Sequence, residues 1–369
     1  MEPIRPPYKN LVKDIDTLLT QAKRKVERIV NSTMVTTYWH IGRYIVEYEQ
    51  DGKDRAEYGT QLLKSLSKEL KQSFGSGFSW RNLYNMTEFY KQFPILQPPA
   101  AKLETVNENT KSVISENENL EKMQPVSAKF SKKALSSISK LSWSHLVRLL
   151  SVKNEDERNF YIIESAQNAW SKRELNRQIQ SSLFERLVLS KDKQAAGKLA
   201  EKGQEITTQQ DLLKDPLVLE FLNLKEDTKY SEKELETAII DNLGDFLLEL
   251  GKGFTFVARQ KRISSGSEHF YIDLVFYNRL LRSFVIIDLK IGKLKHQDIG
   301  QMQMYVNYYD RDVKTESENP TIGIILCKEK DDFVIEYTLP ENNKQVFAKE
   351  YKLYLPNKKE LQKLLAHYL

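Results

Sequence analysis

Two aspartates and a lysine sit in apolar runs where a strand would ordinarily carry no charge. Asp273 lies within Phe270-Tyr271-Ile272-Asp273-Leu274-Val275-Phe276-Tyr277, and Asp288 and Lys290 lie within Phe284-Val285-Ile286-Ile287-Asp288-Leu289-Lys290. A buried, unpaired carboxylate is costly, so such residues are paired, protonated or metal-bound. Residues two apart on a strand share a face, which puts Asp288 beside Lys290. If the two runs are neighbouring strands, Asp273 meets Asp288 across the ladder. Adjacent carboxylates repel, and a hard cation such as Mg²⁺ relieves this while keeping several waters and accepting phosphate oxygens. A neighbouring lysine orients or helps deprotonate the attacking water, or stabilises charge developing on the phosphate. The set suits metal-assisted phosphodiester hydrolysis.

Other residues could complete such a site. Glu236, in Glu234-Leu235-Glu236, precedes the two runs on a helical segment, with Glu232 and Glu234 as competitors. Gln301 and Tyr305 follow on another helix, one turn apart on one face. Gln260, between Arg259 and Lys261, faces either the site or solvent. His269 and His296 read as surface histidines and Cys327 as a core thiol. The run Lys290, Lys293, Lys295 either holds a phosphate backbone or is a solvated loop.

The elements that must position these residues follow from periodicity. A helix marked by Leu235, Ile239, Leu243, Phe246 and Leu250 ends at Gly251. Strands are expected over 254–262, 270–277 and 283–289, a helix over 297–309, a strand over 321–327, a strand-like run over 333–339 and a helix over 358–367. Helices alternating with strands in this order argue for a mixed sheet flanked by helices. Before residue 190 everything reads as helical: 9–30, 33–50, 60–73, a helix from Ser79 to about 93, one opening near Leu141-Ser142-Trp143, then 155–169 and 171–187. Ser79 can cap its helix, and Ser171 with Glu174 has capping-box spacing. A polar stretch of about 97–136 reads as an insertion, and 191–210 as a linker. The domains expected are thus 1–190 and 211–369.

The 369 residues carry a net charge of +5, but unevenly. Residues 1–96 hold +4, 97–129 hold −1, 130–200 hold +6 and 201–369 hold −4. A nucleic-acid-facing part and a part hosting carboxylate chemistry would look like this. A single cysteine excludes a disulfide framework and fits a reducing, cytoplasmic setting, and the short apolar runs exclude a membrane span.

Within the basic half, a glycine-containing turn followed by Ser79-Trp80-Arg81-Asn82 has the arrangement of a helix-turn-helix. Arg81 and Asn82 are the types that read guanine and adenine edges. Lys172, Arg173 and Arg177, with Arg148 and Arg186, could form a phosphate-contacting surface, or simply a solvated helix face. Trp39, Trp143 and Trp170 read as core anchors.

Asp273 followed at fifteen residues by Asp288-Leu289-Lys290 resembles the PD-(D/E)XK nuclease signature. Ile272 stands where many relatives have proline, and Asp288 where many have glutamate. Gln301 and Tyr305 are similar to the Gln-X-X-X-Tyr helix found in that superfamily, and Glu236 sits where its upstream glutamate is expected. The phrases Leu248-Glu249-Leu250-Gly251-Lys252-Gly253-Phe254, Arg259-Gln260, Leu289-Lys290-Ile291-Gly292-Lys293 and Gly323-Ile324-Ile325-Leu326-Cys327-Lys328 resemble the YhcG family of nuclease-like proteins. Tyr38-Trp39-His40-Ile41-Gly42, Ser79-Trp80-Arg81-Asn82-Leu83 and Ser142-Trp143-Ser144-His145 are similar to that family's helical N-terminal domain.

The expectation is therefore a multidomain protein. An all-α N-terminal domain, with a winged-helix arrangement as one form, would bind DNA or mediate assembly. An α/β restriction-endonuclease-like C-terminal domain would cut. Asp273 and Asp288 would hold Mg²⁺, with Glu236 as a further ligand or positioning a water and Mn²⁺ able to substitute, and Lys290 would orient or activate the nucleophile. Gln301 and Tyr305 would support the site. Arg81, Asn82, Lys172, Arg173, Arg177 and Lys293 would contact DNA. The resemblance implies restriction, phage defence or mobile-element processing, with partner proteins. A dimer suits two antiparallel strands. The competing reading is a non-cleaving DNA-binding scaffold built on a nuclease fold.

Overall fold

The computed structural model describes residues 8–51, 56–93, 131–190, 195–212, 214–224, 230–265 and 267–368. The chain divides into two compact units: Met1–Leu175 with Ala200–Gly203, and Asn176–Leu199 with Gln204–Leu369. Most of the expected polar insertion lies outside the described residues. Its last part does not: Ser131 accepts a hydrogen bond from the Ala134 amide at 3.1 Å and opens a helix, so 131–136 belongs to the fold.

The first unit is built from α1 (Tyr8–Asp51), α2 (Ala56–Phe74), α3 (Trp80–Gln92), α4 (Lys132–Ile138), α5 (Trp143–Leu149) and α6 (Glu155–Gln167). The two helices expected over 9–30 and 33–50 are one, because no glycine or proline interrupts 31–33. Tyr38, Ile45, Leu63, Leu83 and Met86 form a core cluster against which Trp143 packs. Trp39 is fully buried and its indole donates to the Phe93 carbonyl at 2.8 Å. Gly42 allows α1 to cross α3: a Cβ there would stand 2.0 Å from the Met86 carbonyl oxygen. Among the described residues this unit has no strand and shows no wing.

In the second unit, α7 (Lys172–Gln180), which begins in the first, α8 (Leu183–Leu189) and α9 (Ala195–Lys202) replace one expected helix and part of the expected linker. The break falls at Ser182, whose φ is +54°, and Arg186 Nε fastens it by donating to the Ser181 carbonyl at 2.8 Å. Ala195, Leu199 and Ala200 are buried, so 195–202 is packed helix rather than tether.

The sheet contains β1 (Leu217–Val218), β2 (Phe254–Ser265), β3 (Glu268–Asn278), β4 (Ser283–Lys293), β5 (Ile322–Glu329) and β6 (Val346–Lys352), in the order β1-β6-β5-β4-β3-β2. β2, β3 and β4 pair antiparallel, whereas β4, β5, β6 and β1 run parallel. The helices are α10 (Glu232–Asp241), α11 (Leu243–Leu250), α12 (His296–Tyr308), α13 (Asp332–Thr338) and α14 (Lys358–Tyr368). One core joins Leu235, Ile239 and Phe246 to Leu274, Val285, Ile287 and Leu289. A second joins Met302, Tyr305 and Val306 to Ile272, Val275, Ile286 and Ile325. β4 contributes to both, so it lies in a middle layer, as its unbroken apolar run requires. The strand-like run 333–339 is instead α13. Asp331 caps it through the Val334 amide at 3.2 Å, and Phe333 and Tyr337 are exposed and stacked one turn apart.

Candidate functional site

The ladder between β3 and β4 ends at Leu274 opposite Ile287. Asp273 and Asp288 occupy the next step, where β3 parts from β4. The amide of Leu289 loses its strand partner there, and Asp273 takes it: Oδ2 accepts from Leu289 N at 2.8 Å. The other oxygen, Oδ1, accepts from the Gln260 side-chain amide at 3.0 Å. β2, with its register shift between Phe256 and Ala258, carries Gln260 at φ +46°, a left-handed backbone rare outside glycine.

Asp288 is buried. Lys290 Nζ lies 2.8 Å from its Oδ2, yet out of line for a hydrogen bond, so Oδ2 has a charge beside it and no aligned donor. Burial pushes Asp288 up to about 7, and Asp273 and Glu232 add to the rise, against the opposing pull of Lys290. Burial works against the Lys290 ammonium, but Asp288, Glu232 and Asp273 outweigh it and hold its pKa above the usual lysine value.

The three glutamates of α10 separate by role. Glu234 completes a capping box with Ser231, receiving the Ser231 amide at 2.7 Å. Glu232 is largely exposed and its carboxylate lies 4.0 Å from Lys290 Nζ. Glu236 is buried and accepts from Arg259 Nε at 2.9 Å and from Gln260 Nε2 at 2.6 Å. The Gln260 amide therefore bridges Glu236 and Asp273. Sequence reasoning left Gln260 open. Its only signal was its place at the edge of a strand ahead of the two aspartates.

Three acids were expected to surround one metal. Among the described residues no group of three metal-binding side chains converges. Glu236 stands behind Gln260 instead, and the pair that meets is Asp273 and Asp288. That pair fits a small hard cation. It offers carboxylate oxygens only, one of them buried without an aligned donor, beside a like charge that a cation would neutralise.

On the other side of β4, Tyr305 is fully buried and its hydroxyl donates to the Tyr271 carbonyl at 3.0 Å, while Gln301 donates to that hydroxyl at 2.5 Å. Burial raises the Tyr305 pKa, which keeps the hydroxyl a donor. The pair ties α12 to β3 two residues before Asp273. His269 and His296 are exposed, and burial pushes the Cys327 thiol up to about 12, as suits a core residue.

The expected DNA contacts divide. Arg81, Lys172 and Arg173 are exposed. Lys293 is exposed and ion-paired with Asp331 at 2.8 Å, a surface pair of small worth. Asn82 is committed inward: its amide donates to the Gly77 carbonyl at 2.6 Å and its oxygen accepts from the Trp143 indole at 2.7 Å. Arg177 is mostly buried against Glu220 and Glu249, and Arg186 is wholly buried against Glu249, so neither presents a guanidinium to DNA. Both satisfy a buried carboxylate whose burial only the packing of α11 reveals.

A mixed sheet with helices on both faces, and an Asp273/Asp288/Lys290 group where two strands part, define a nuclease domain of the PDDEXK class: residues 210–366 match the YhcG PDDEXK nuclease domain. Residues 14–110 and 113–186 match the DUF1016 N-terminal domain. The chain is 41% identical over 359 residues to YhcG of Escherichia coli (strain K12), whose name carries a provisional nuclease assignment. The match covers 96% of this chain and 92% of that protein, and the chain belongs to the YhcG family. Among solved structures, a repair endonuclease from Pyrococcus abyssi matches 36% of this chain and 50% of its own at 20% identity, with a TM-score of 0.24. A complex of EndoMS with double-stranded DNA matches 37% and 51% at 15% identity, with a TM-score of 0.25. Among the described residues no helix is long and apolar enough to cross a membrane.

Proposed function

We propose that this chain is a divalent-metal-dependent DNA endonuclease. The observation that carries the reading is the meeting of Asp273, Asp288 and Lys290 where β3 leaves β4, with Asp288 Oδ2 buried and lacking an aligned donor. Asp273 and Asp288 would hold Mg²⁺ or Mn²⁺, which when bound supplies charge neutralisation at the phosphate and an acidified water. Lys290, kept protonated by its acidic neighbours, offsets negative charge developing on the phosphate oxygens. Glu236 and Gln260 fix the Asp273 carboxylate, and Tyr305 with Gln301 fixes the strand that bears it. Arg81, Lys172, Arg173 and Lys293 are the exposed cations available to the DNA backbone. The setting we favour is DNA processing in restriction, phage defence or mobile-element biology, by a dimer.

The test is cleavage of duplex, forked, junction and single-stranded DNAs with Mg²⁺ and Mn²⁺, beside Asp288→Ala. The expected result is metal-dependent scission by the wild type alone. Equal cleavage by both proteins defeats the assignment. Calorimetry showing no metal uptake would favour the non-cleaving scaffold.

A further inference from the structure

Helix α1 has two unlike halves. From Val35 onward most of its apolar residues face the core, among them Tyr38, Trp39 and Ile45, and only Tyr44 and Tyr48 are exposed. Before that, Val12, Ile15, Leu18, Leu19, Val26, Ile29 and Val30 are exposed, reaching 66% at Leu18, 64% at Leu19 and 60% at Val26. No side chain among the described residues covers this face. A stripe of this kind on a long helix is ordinarily covered by a partner.

Five positions along the stripe are symmetric, whereas Val12, Leu19 and Val30 have no apolar counterpart. Ile15, Leu18, Ala22, Val26 and Ile29 are spaced three, four, four and three residues apart. Turning the helix end for end about Ala22 lays Ile15 on Ile29, Leu18 on Val26 and Ala22 on its own copy. The smallest side chain thus falls at the crossing, where two helices approach most closely. The charges are not symmetric, and this chooses the direction. Asp14 and Asp16 lie before Ala22, and Lys23 and Lys25 lie after it, all exposed. A parallel pair would set Lys23 and Lys25 of both copies side by side. An antiparallel pair lays Lys23 and Lys25 opposite Gln21 and Leu19 of the partner, within a stretch, 16–21, that includes Asp16 and carries no positive charge.

We infer that the first half of α1 pairs antiparallel with the same segment of a second copy, crossing at Ala22. This names an interface and stands apart from the nuclease reading, since it can be tested without activity. Sedimentation of the full chain at micromolar concentration should give a dimer, and Leu18→Asp with Val26→Asp should give a monomer with unchanged helical content. A monomeric wild type overturns the proposal, and so does a double variant that stays dimeric. Direction is read by oxidation of cysteine variants. Ile15→Cys alone and Ile29→Cys alone should give no covalent dimer, whereas their mixture should give one. The native Cys327 is buried and does not interfere. Covalent dimer from either variant alone overturns the antiparallel arrangement, and none from the mixture overturns the crossing, even if the aspartate variants fail to fold.

Discussion

Two of the buried carboxylates of the second unit, Glu249 and Asp288, have surroundings that differ in kind. Glu249, on α11, accepts from Arg186 Nη1 at 2.5 Å and from the Val218 amide at 3.0 Å, with Arg177 Nη1 at 3.3 Å and Lys214 donating to its carbonyl. Burial alone would raise its pKa, but Arg186, Lys214 and Arg177 outweigh it and bring it to about 2. Asp288 has one lysine out of line, an aspartate beside it, and a pKa raised to about 7. One carboxylate is satisfied by its own chain. The other has only Lys290 to set against burial and a neighbouring aspartate. The first arrangement holds a fold together, and the second is the one the proposed metal would complete.

The sharpest way to break this contrast is to remove each acid. Asp288→Asn should reduce metal-dependent cleavage by on the order of 10³-fold, the scale of losing a preorganised charge-stabilising group. The same change should raise the thermal midpoint of the metal-free protein above pH 7, because an ionised, poorly partnered group is gone. Glu249→Gln should do the reverse, costing about 3–5 kcal/mol of stability by leaving Arg186 buried without its partner. Urea melts of both variants would expose any exchange of roles.

Titration sharpens it further. The raised pKa of Asp288 means the folded state keeps a proton that the unfolded state has released. Stability from this group is full below the ordinary carboxylate range and is lost as pH rises toward about 7. The stability gap between wild type and Asp288→Asn should therefore close as pH falls from 7 to 4. The depressed pKa of Glu249 works oppositely: its contribution is full above the ordinary range and is lost as pH falls toward about 2. Thermal melts across pH 2–8 check both signs. Smaller effects are expected at the edges. Gln260→Ala should weaken Mg²⁺ binding several-fold by calorimetry, since its amide orients the Asp273 carboxylate. Arg81→Ala or Arg173→Ala should each lower the salt slope of DNA binding by about one.

Asp273 and Asp288 were legible because aspartate inside an apolar strand run is conspicuous, and the period of two fixes its face. Glu249 was hidden because a glutamate on a helix is unremarkable until the helix is seen to bury it. Arg177 and Arg186 misled for the same reason: their type suits phosphate, and only packing reveals that they serve Glu249. Asn82 was legible as a helix-opening residue, but not as the partner of Trp143, 61 residues away. β6 escaped because Val346-Phe347-Ala348-Lys349-Glu350-Tyr351-Lys352 mixes apolar and charged residues as many helices do, and its parallel pairing with β5 is entirely non-local. α13 was mistaken for a strand because its apolar content was read without the Asp331 cap.

The Arg177–Arg186–Glu249 cluster also bears on how this module travels. The sequence-family boundary begins the nuclease domain at residue 210, but two of the cations that neutralise its buried glutamate are encoded more than twenty residues earlier. A gene fragment cut at that boundary would encode every described strand and the Asp273/Asp288/Lys290 group, yet leave Glu249 buried with the Val218 amide and Lys214 but without its two arginines. Recombination or subcloning that respects the physics must take the exchange point upstream of Asn176, with α8 travelling as part of the cutting half.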